Sequence, residues 1–277
     1  MSYQENYFYV EPDIRLHYID EGSGQPLVFI TGFSGSAEGF SYQIEYFKKK
    51  YRVISIDPRN HGKSSFSIKG NTYAQQGSDI GALIHHLNLK NIVLIGWSFG
   101  ALAALNYVEQ FGMDRIAAFV TIDNPPCALS DDPTEYRSGD LNMLRDFHFK
   151  YFRTEDGFKK FVTDNFIDGI FFLNPPKDAE TRNMVLNTSL HLPLLVGDAL
   201  IVDGHLSDKR DVMKKLDQNR PCLFYVAEYR KEAGLRCLLR DYPNAKVTAL
   251  GNHMVFYELP EEFNRILVEF IQIHANS

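Results

Sequence analysis

The sequence predicts an α/β fold, in which a mostly parallel sheet is covered on both faces by helices. Helical patterns alternate with short β-branched runs, as they do in open sheets that lie between two helical layers. The runs are apolar enough to be buried on both faces, which is typical of parallel strands, and they span 27–31, 52–57, 91–96, 117–123, 222–228 and 245–251. The alternation stops once, because about ninety mostly helical residues separate the fourth run from the fifth. We therefore expect one sheet with a helical cap inserted between two late strands.

The two ends of the chain complete this sheet. Two stretches within the first 20 residues alternate between apolar and polar side chains around Pro12 and Asp13, which predicts an antiparallel hairpin at the sheet edge. The segment 261–274 carries an apolar stripe at helical spacing, which predicts a helix packed on the sheet. The expected organisation is a core formed by 1–126 and 218–277, with a cap insertion at 127–217.

Composition and charge restrict the classes of function. The 277 residues carry a formal net charge of −6 and the longest basic run is the triplet at 48–50, so nucleic acid is not an expected partner. No apolar run approaches the length of a membrane span, and the N-terminal segment lacks a signal-peptide pattern. Three cysteines without metal-ligand spacing predict reduced thiols. We therefore expect a cytoplasmic protein with no membrane partner and no bound metal.

The stretch IGWSFGAL, at 95–102, contains a serine between two glycines. It lies between a predicted strand and a predicted helix, where a tight turn needs small residues two before and two after the serine. Gly96 and Gly100 meet this need, and the turn places the Ser98 hydroxyl at a helix N-terminus that favours negative charge. An idle serine in a structural turn is the alternative, but the placement between strand and helix favours a nucleophile.

With this motif the chain resembles the α/β-hydrolase superfamily, in particular its small serine esterases and non-haem haloperoxidase-like members with a helical cap. The resemblance extends along nearly the whole chain. The loop ITGFSGSAEGF resembles the family's oxyanion loop, with Thr31 in place of the usual histidine and Gly32 retained. The resemblance implies that the backbone N–H groups of Phe33 and Phe99 form an oxyanion hole. A second loop, DPRNHGKS, resembles another family motif, with Asn60 in place of a glycine.

The histidine that this family needs is found near the C-terminal end. The segment LGNHMVFYELPEEFN resembles the family's histidine loop, because His253 follows the last predicted strand and precedes the last predicted helix. The order of Ser98 before His253 along the chain is the one expected of this fold. The other histidines lack such a setting, and surface or buried structural roles are expected for them.

The acid that orients the histidine is not at its usual place. In the family it follows the strand matched here by 222–228, and Arg230 occupies that position. Two carboxylates remain as candidates: Asp123 follows the preceding strand, a place that some family members use, and Glu228 ends the strand itself. We favour Asp123, while an orienting role for Glu228 and a turn-capping role for Asp123 stay open.

A serine nucleophile predicts acyl transfer, in which Ser98 forms an acyl-enzyme and His253 activates water. We expect a hydrolase of small to medium, fairly apolar carboxylic esters, or of lactones or thioesters, that needs no cofactor. The many phenylalanines of the cap insertion are expected mainly to pack it on the core. A lyase, a cofactor-free oxygenase and a non-catalytic ligand-binding protein are the alternatives. The expected partner is a small-molecule ester, and a homodimer stays open.

Overall fold

The computed structural model describes residues 3–274 and contains an eight-stranded sheet. The strands are β1 (Asn6–Glu11), β2 (Ile14–Gly22), β3 (Pro26–Ile30), β4 (Arg52–Asp57), β5 (Ile92–Trp97), β6 (Ile116–Ile122), β7 (Cys222–Val226) and β8 (Lys246–Ala249). Their order across the sheet is β1-β2-β4-β3-β5-β6-β7-β8. The pairs β1–β2 and β2–β4 are antiparallel, whereas all other neighbours are parallel. The predicted mostly parallel sheet and its N-terminal hairpin are confirmed.

Helices flank this sheet. They are α1 (Ser41–Phe47), α2 (Tyr73–His86), α3 (Phe99–Phe111), α4 (Leu141–Tyr151), α5 (Glu155–Phe161), α6 (Ala179–Leu190), α7 (Leu194–Leu206), α8 (Arg210–Asn219), α9 (Lys231–Asp241), α10 (Val255–Glu258) and α11 (Pro260–His274). α2 and α8 both pack against α3, and α1 packs against α11. Every residue of β3, β5 and β7 is buried, which requires cover on both faces of the sheet.

The cap insertion lies between β6 and β7. It contains α4 to α7 and a π-helical segment, Val162–Ile170, whereas α8 at its end packs against α3 beside the sheet. Phe33 of the core packs edge-on against four phenylalanine rings of the insertion at centroid distances of 6.2 to 6.4 Å, namely those of Phe152, Phe158, Phe161 and Phe166. Phe149, in contrast, is 60% exposed. Aromatic packing therefore joins the insertion to the core.

In the described part of the chain, no single helix is both long and apolar enough to cross a membrane. α6 and α7 reach the required length and composition only as a pair, and the pair bends by 87° at its break. The α7 half of this pair buries Val196, Leu200 and Ile201 within the protein.

The carboxyl ends of the parallel strands bring the candidate residues to one edge of the sheet. Ser98 directly follows β5, and Asp123 directly follows the neighbouring β6. The Ser98 amide donates a hydrogen bond to the Ile122 carbonyl at 2.8 Å, and the Asp123 amide donates one to the Tyr225 carbonyl of β7 at 2.8 Å. His253 lies in the turn between β8 and α10. Open α/β sheets bind ligands at this edge, so the fold places these residues where chemistry is expected.

Candidate active site

Ser98 occupies a sharp turn between β5 and α3. Its φ of +52° and ψ of −134° lie in a region that residues other than glycine rarely adopt. A Cβ atom on Gly96 would lie 2.4 Å from the Cα of Ala101, and one on Gly100 would lie 2.4 Å from the Thr31 carbonyl oxygen. Because the backbones come this close, neither position accommodates a larger residue. The turn leaves Ser98 half-buried, so its side chain is accessible to a small molecule.

Asp123 and His253 are joined by a short hydrogen bond. The Nδ1 atom of His253 lies 2.7 Å from Oδ2 of Asp123, and both residues are buried. Asp123 has a φ of +46°, a left-handed conformation that aspartate tolerates better than most residues. The bond to Nδ1 leaves the other ring nitrogen, Nε2, to face a substrate, as an orienting acid does for a catalytic histidine.

The Asp123 carboxylate accepts three further hydrogen bonds. Oδ1 accepts from the Tyr136 hydroxyl at 3.0 Å and from the Ala227 amide at 3.2 Å, and Oδ2 accepts from the Tyr229 hydroxyl at 3.0 Å. Burial raises the pKa of Asp123, but the hydrogen bond and charge of His253, the charge of a nearby arginine and the Ala227 amide lower this pKa well below its ordinary value. Asp123 is therefore an ionised carboxylate that can stabilise a positively charged imidazole.

Glu228, the alternative acid, has a different environment. Its side chain is 38% exposed, and Oε2 lies 3.2 Å from the Nζ atom of Lys231. The structure thus brings Asp123 to His253, whereas Glu228 forms a surface ion pair. Sequence reasoning missed the two tyrosine donors to Asp123. Tyr136 comes from the cap insertion with no motif around it, whereas Tyr229 adjoins the position where the family usually has its acid.

The turn that carries His253 is attached to the cap insertion through its backbone. The His253 amide donates to the Ile170 carbonyl at 3.0 Å, and the Met254 amide donates to the Phe171 carbonyl at 2.9 Å. On the core side, Trp97 Nε1 donates to the His253 carbonyl at 2.6 Å. The imidazole stacks on the Phe171 ring at a centroid distance of 5.7 Å. These contacts fix the position of the ring from both sides.

The two amides expected to form the oxyanion hole lie beside Ser98. A Cβ atom on Gly32 would lie 2.8 Å from the Ser98 Cβ, so the loop that carries Phe33 runs directly past the serine. Phe99 is the first residue of α3, and its amide has no acceptor within that helix. Among the described residues, the Phe33 amide also donates to no protein acceptor. Both N–H groups are thus available to a ligand.

Ser98, Asp123 and His253 line one cavity of about 750 Å³. Its apolar wall is aromatic and comes from the core and the cap insertion: Phe33, Phe99, Phe147, Tyr151, Phe161 and Phe166. In the described part of the chain no direct hydrogen bond joins the Ser98 hydroxyl to His253, a bond that often tightens only when substrate binds. The size and the aromatic wall suit a small organic molecule.

Residues 3–274 contain no group of three or more His, Cys, Asp or Glu side chains that could hold a metal ion. Cys127, Cys222 and Cys237 are all free thiols.

Comparison with known proteins agrees with this architecture. Residues 25–159 match the family model of the alpha/beta hydrolase fold. A non-heme chloroperoxidase from Burkholderia pyrrocinia is 31% identical over 176 residues, which are 61% of this chain and 58% of that enzyme. The structure of a bromoperoxidase from Bacillus anthracis has a TM-score of 0.86 at 23% identity, over 97% of this chain and 100% of that chain. An esterase from Rhodococcus sp. ECU1013 has a TM-score of 0.80 at 20% identity, over 98% and 99%.

The chain has the α/β-hydrolase fold, which the family model matches over residues 25–159 and which the structural neighbours share over nearly the whole chain. These three proteins are named a chloroperoxidase, a bromoperoxidase and an esterase, which agrees with the small esterase and haloperoxidase-like branch that the sequence predicted. The match to the hydrolase family model and the named relative support a hydrolase.

Proposed function

We propose that this protein is a serine hydrolase that cleaves small to medium carboxylic esters, with lactones and thioesters as chemically equivalent substrates. The observation that carries the proposal is the 2.7 Å bond between His253 and Asp123 beside Ser98, in a cavity that contains all three residues. A nucleophile, a base and an orienting acid at one cavity are the parts that acyl transfer requires.

In the first half of the reaction, the Ser98 oxygen attacks the ester carbonyl carbon while His253 Nε2 accepts the hydroxyl proton. The carbonyl oxygen becomes an oxyanion and accepts hydrogen bonds from the Phe33 and Phe99 amides, worth about 3 kcal/mol each. The tetrahedral intermediate then expels the alcohol, which takes the proton from His253. An ester of Ser98 with the acyl group remains.

In the second half, water gives a proton to His253 and attacks the acyl carbonyl. Collapse of the second tetrahedral intermediate releases the carboxylic acid, and the proton returns to Ser98. Through both halves the ionised Asp123 holds the Nδ1 proton of His253 and stabilises the imidazolium. The low pKa of Asp123 keeps it ionised while the ring gains its proton.

The test is covalent labelling with a fluorophosphonate, followed by intact-mass measurement. Wild type is expected to gain one stoichiometric adduct, and Ser98→Ala is expected to gain none. Ser138→Ala is the matched control, because Ser138 lines the same cavity outside the strand-to-helix turn, and it should label like wild type. A folded wild type that remains unlabelled would contradict the proposal and favour a lyase, a cofactor-free oxygenase or a binding protein.

A second candidate reaction is perhydrolysis, in which hydrogen peroxide replaces water at the acyl-enzyme. It is supported by the chloroperoxidase name of the Burkholderia relative and the bromoperoxidase name of the Bacillus anthracis structure. Peracid formation from acetate and peroxide, detected by bromide oxidation, separates the two. Loss of this signal in Ser98→Ala is expected if the acyl-enzyme carries it.

A further inference from the structure

Arg230 stands where the family usually has its acid, and it lines the cavity that contains Ser98 and His253. It ends a short turn, Glu228–Arg230, directly after β7 and is half-buried. Its guanidinium carbon lies 5.0 Å from the centre of the Tyr229 ring. A permanently charged group thus faces the substrate cavity at a position where the proposed mechanism uses no arginine.

Arg230 forms no salt bridge with a carboxylate of the described residues, although the negative charge of Asp123 acts on it from a longer distance. Asp123 is the carboxylate whose charge acts on Arg230. Its two oxygens, however, already accept hydrogen bonds, from Tyr136, Ala227, Tyr229 and His253. Four bonds fill the acceptor positions of a carboxylate, so Asp123 has none left for a guanidinium.

Arg59, a fully buried arginine, shows the contrast. Arg59 is 2% exposed and binds Asp79 through two nitrogens, at 2.6 and 2.8 Å, with a third bond to Glu11 at 2.8 Å. A guanidinium taken out of water needs such partners, because burial of an unpaired charge is costly. Arg230 has phenol rings and an open cavity instead.

The remaining charged side chains that line the cavity are exposed or already engaged. Asp140 accepts a hydrogen bond from the Met143 amide at the start of α4, and Asp146 pairs with Arg145 at 2.8 Å. Lys150 is exposed and lies over the Tyr151 ring. Burial lowers the pKa of His205, so this ring adds no positive charge at neutral pH. Among the half-buried and buried groups that line the cavity in the described chain, Arg230 is therefore a cation without a salt-bridge partner.

We propose that Arg230 binds a carboxylate on the substrate, so that the preferred ester or lactone carries a free carboxylate in addition to the bond that is cleaved. This inference rests on the proposed hydrolase function and names its substrate class. A guanidinium presents paired N–H donors that match the two oxygens of a planar carboxylate. The aromatic wall then holds the apolar part of the same molecule, between the carboxylate and Ser98.

The test compares pairs of esters that differ only in this charge. The mono-4-nitrophenyl ester of glutaric acid is matched with 4-nitrophenyl 5-methylhexanoate, in which an isopropyl group replaces the carboxylate. The butyrate ester of 4-hydroxybenzoate is matched with that of 4-isopropylphenol, which places the charge on the alcohol side. In wild type, the carboxylate member of at least one pair should have a kcat/KM about 10- to 100-fold higher.

Arg230→Met should abolish this ratio, mainly through a higher KM for the charged ester, and Arg230→Lys should retain part of it. The matched control is Arg153→Met, which removes the same charge from an exposed residue that lies against Phe149 outside the cavity, and it should leave the ratio unchanged. Calorimetric titration of Ser98→Ala with the glutarate and hydroxybenzoate esters measures the same preference without turnover.

The outcomes separate the two proposals. If Ser98 is labelled and neutral esters are hydrolysed, but no pair shows a carboxylate preference, the inference about Arg230 is wrong and the hydrolase function stands. A preference that survives in Arg230→Met also overturns it. Failure of all four esters together with an unlabelled Ser98 contradicts the hydrolase function itself. A phosphate-bearing ester that is favoured over the carboxylate-bearing one would assign Arg230 to a different anion.

Discussion

Two histidine–aspartate pairs in this protein have the same bond and different surroundings. In each pair, Nδ1 of a buried histidine lies 2.7 Å from Oδ2 of a buried aspartate: His253 with Asp123, and His17 with Asp57. Each aspartate also lies at the carboxyl end of a strand, since Asp57 ends β4 and Asp123 follows β6. By distance and burial the two pairs are equivalent.

The groups around the His17 pair connect parts of the fold to one another. His17 lies in β2 directly opposite Asp57 in the antiparallel register, and its Nε2 atom is buried without a partner among the described residues. Asp57 also accepts from the amides of Ala37 at 2.6 Å and Lys63 at 2.9 Å. A Cβ atom on Gly62 would lie 2.2 Å from this carboxylate. The pair therefore joins two strands to two loops and leaves no space for a substrate.

The difference between the pairs shows that a short His–Asp bond does not by itself identify an active site. What distinguishes His253 is a cavity that it shares with a strained, accessible serine and two free amides. His17 has the bond without the cavity. Substitutions should affect the two pairs differently, because we assign the His253–Asp123 pair to turnover and the His17–Asp57 pair to stability.

The largest expected effect is on turnover. Asp123→Asn should lower kcat about 10⁴-fold, because an amide at this position no longer stabilises the imidazolium or the correct tautomer of His253. The measurement is the initial rate on a chromogenic ester, normalised to the folded fraction. Asp57→Asn and Glu228→Gln are the matched controls, and both should keep kcat within about tenfold of wild type. Near-wild-type turnover in Asp123→Asn would contradict our assignment of the acid.

A smaller effect is expected on stability at the other pair. His17→Leu should lower the free energy of unfolding by about 2–3 kcal/mol, because Asp57 loses a donor while it stays buried. Urea unfolding measures this, and the variant should retain its turnover per folded molecule. His85→Leu, on the exposed side of α2, should change stability by less than about 0.5 kcal/mol. A loss of turnover in His17→Leu equal to that of Asp123→Asn would remove the distinction between the pairs.

The smallest effect is the acid dependence of stability. The pKa of Asp123 is lower in the folded protein than the ordinary 3.8, so the unfolded chain binds a proton first as the pH falls. Asp123 therefore stabilises the fold above pH 3.8, and this contribution decreases as the pH falls towards the folded pKa. Between pH 5 and pH 3, wild type should lose about 1 kcal/mol more than Asp123→Asn in urea unfolding. If the difference in unfolding free energy between wild type and Asp123→Asn stays the same from pH 5 to pH 3, the prediction of a lowered folded-state pKa for Asp123 is wrong.

Much of the fold and of the site follows from local sequence. The run at 52–57 coincides with β4, and the serine turn and the histidine turn lie where their motifs predicted them. Asn60, which replaces a family glycine, has a φ of +67°, and asparagine is among the few other residues that adopt this conformation readily. Periodicity and turn chemistry depend on neighbouring residues, so one sequence suffices for such features.

The rest of the site depends on packing between distant segments. Tyr136 reaches Asp123 only because of the path that the chain takes between β6 and α4, and no spacing rule specifies that path. The choice of Asp123 over Glu228 likewise required the position of His253 in space. The end of the cap insertion also depends on packing. The sequence places it at residue 217, within α8, but α8 packs against α3 of the core. A strand pattern identifies the sheet edge but not which side chains meet across it.

The backbone bonds between Ile170, Phe171 and the histidine turn also bear on how this enzyme could be redesigned or could diverge. A cap grafted from a relative would have to supply carbonyl oxygens at the same two positions, or the imidazole would lose its alignment even with every core residue intact. Substitutions in α4 and α5 are free of that requirement. Variation in substrate range should therefore accumulate in the first half of the insertion, while its end beside His253 changes only together with the turn that carries His253.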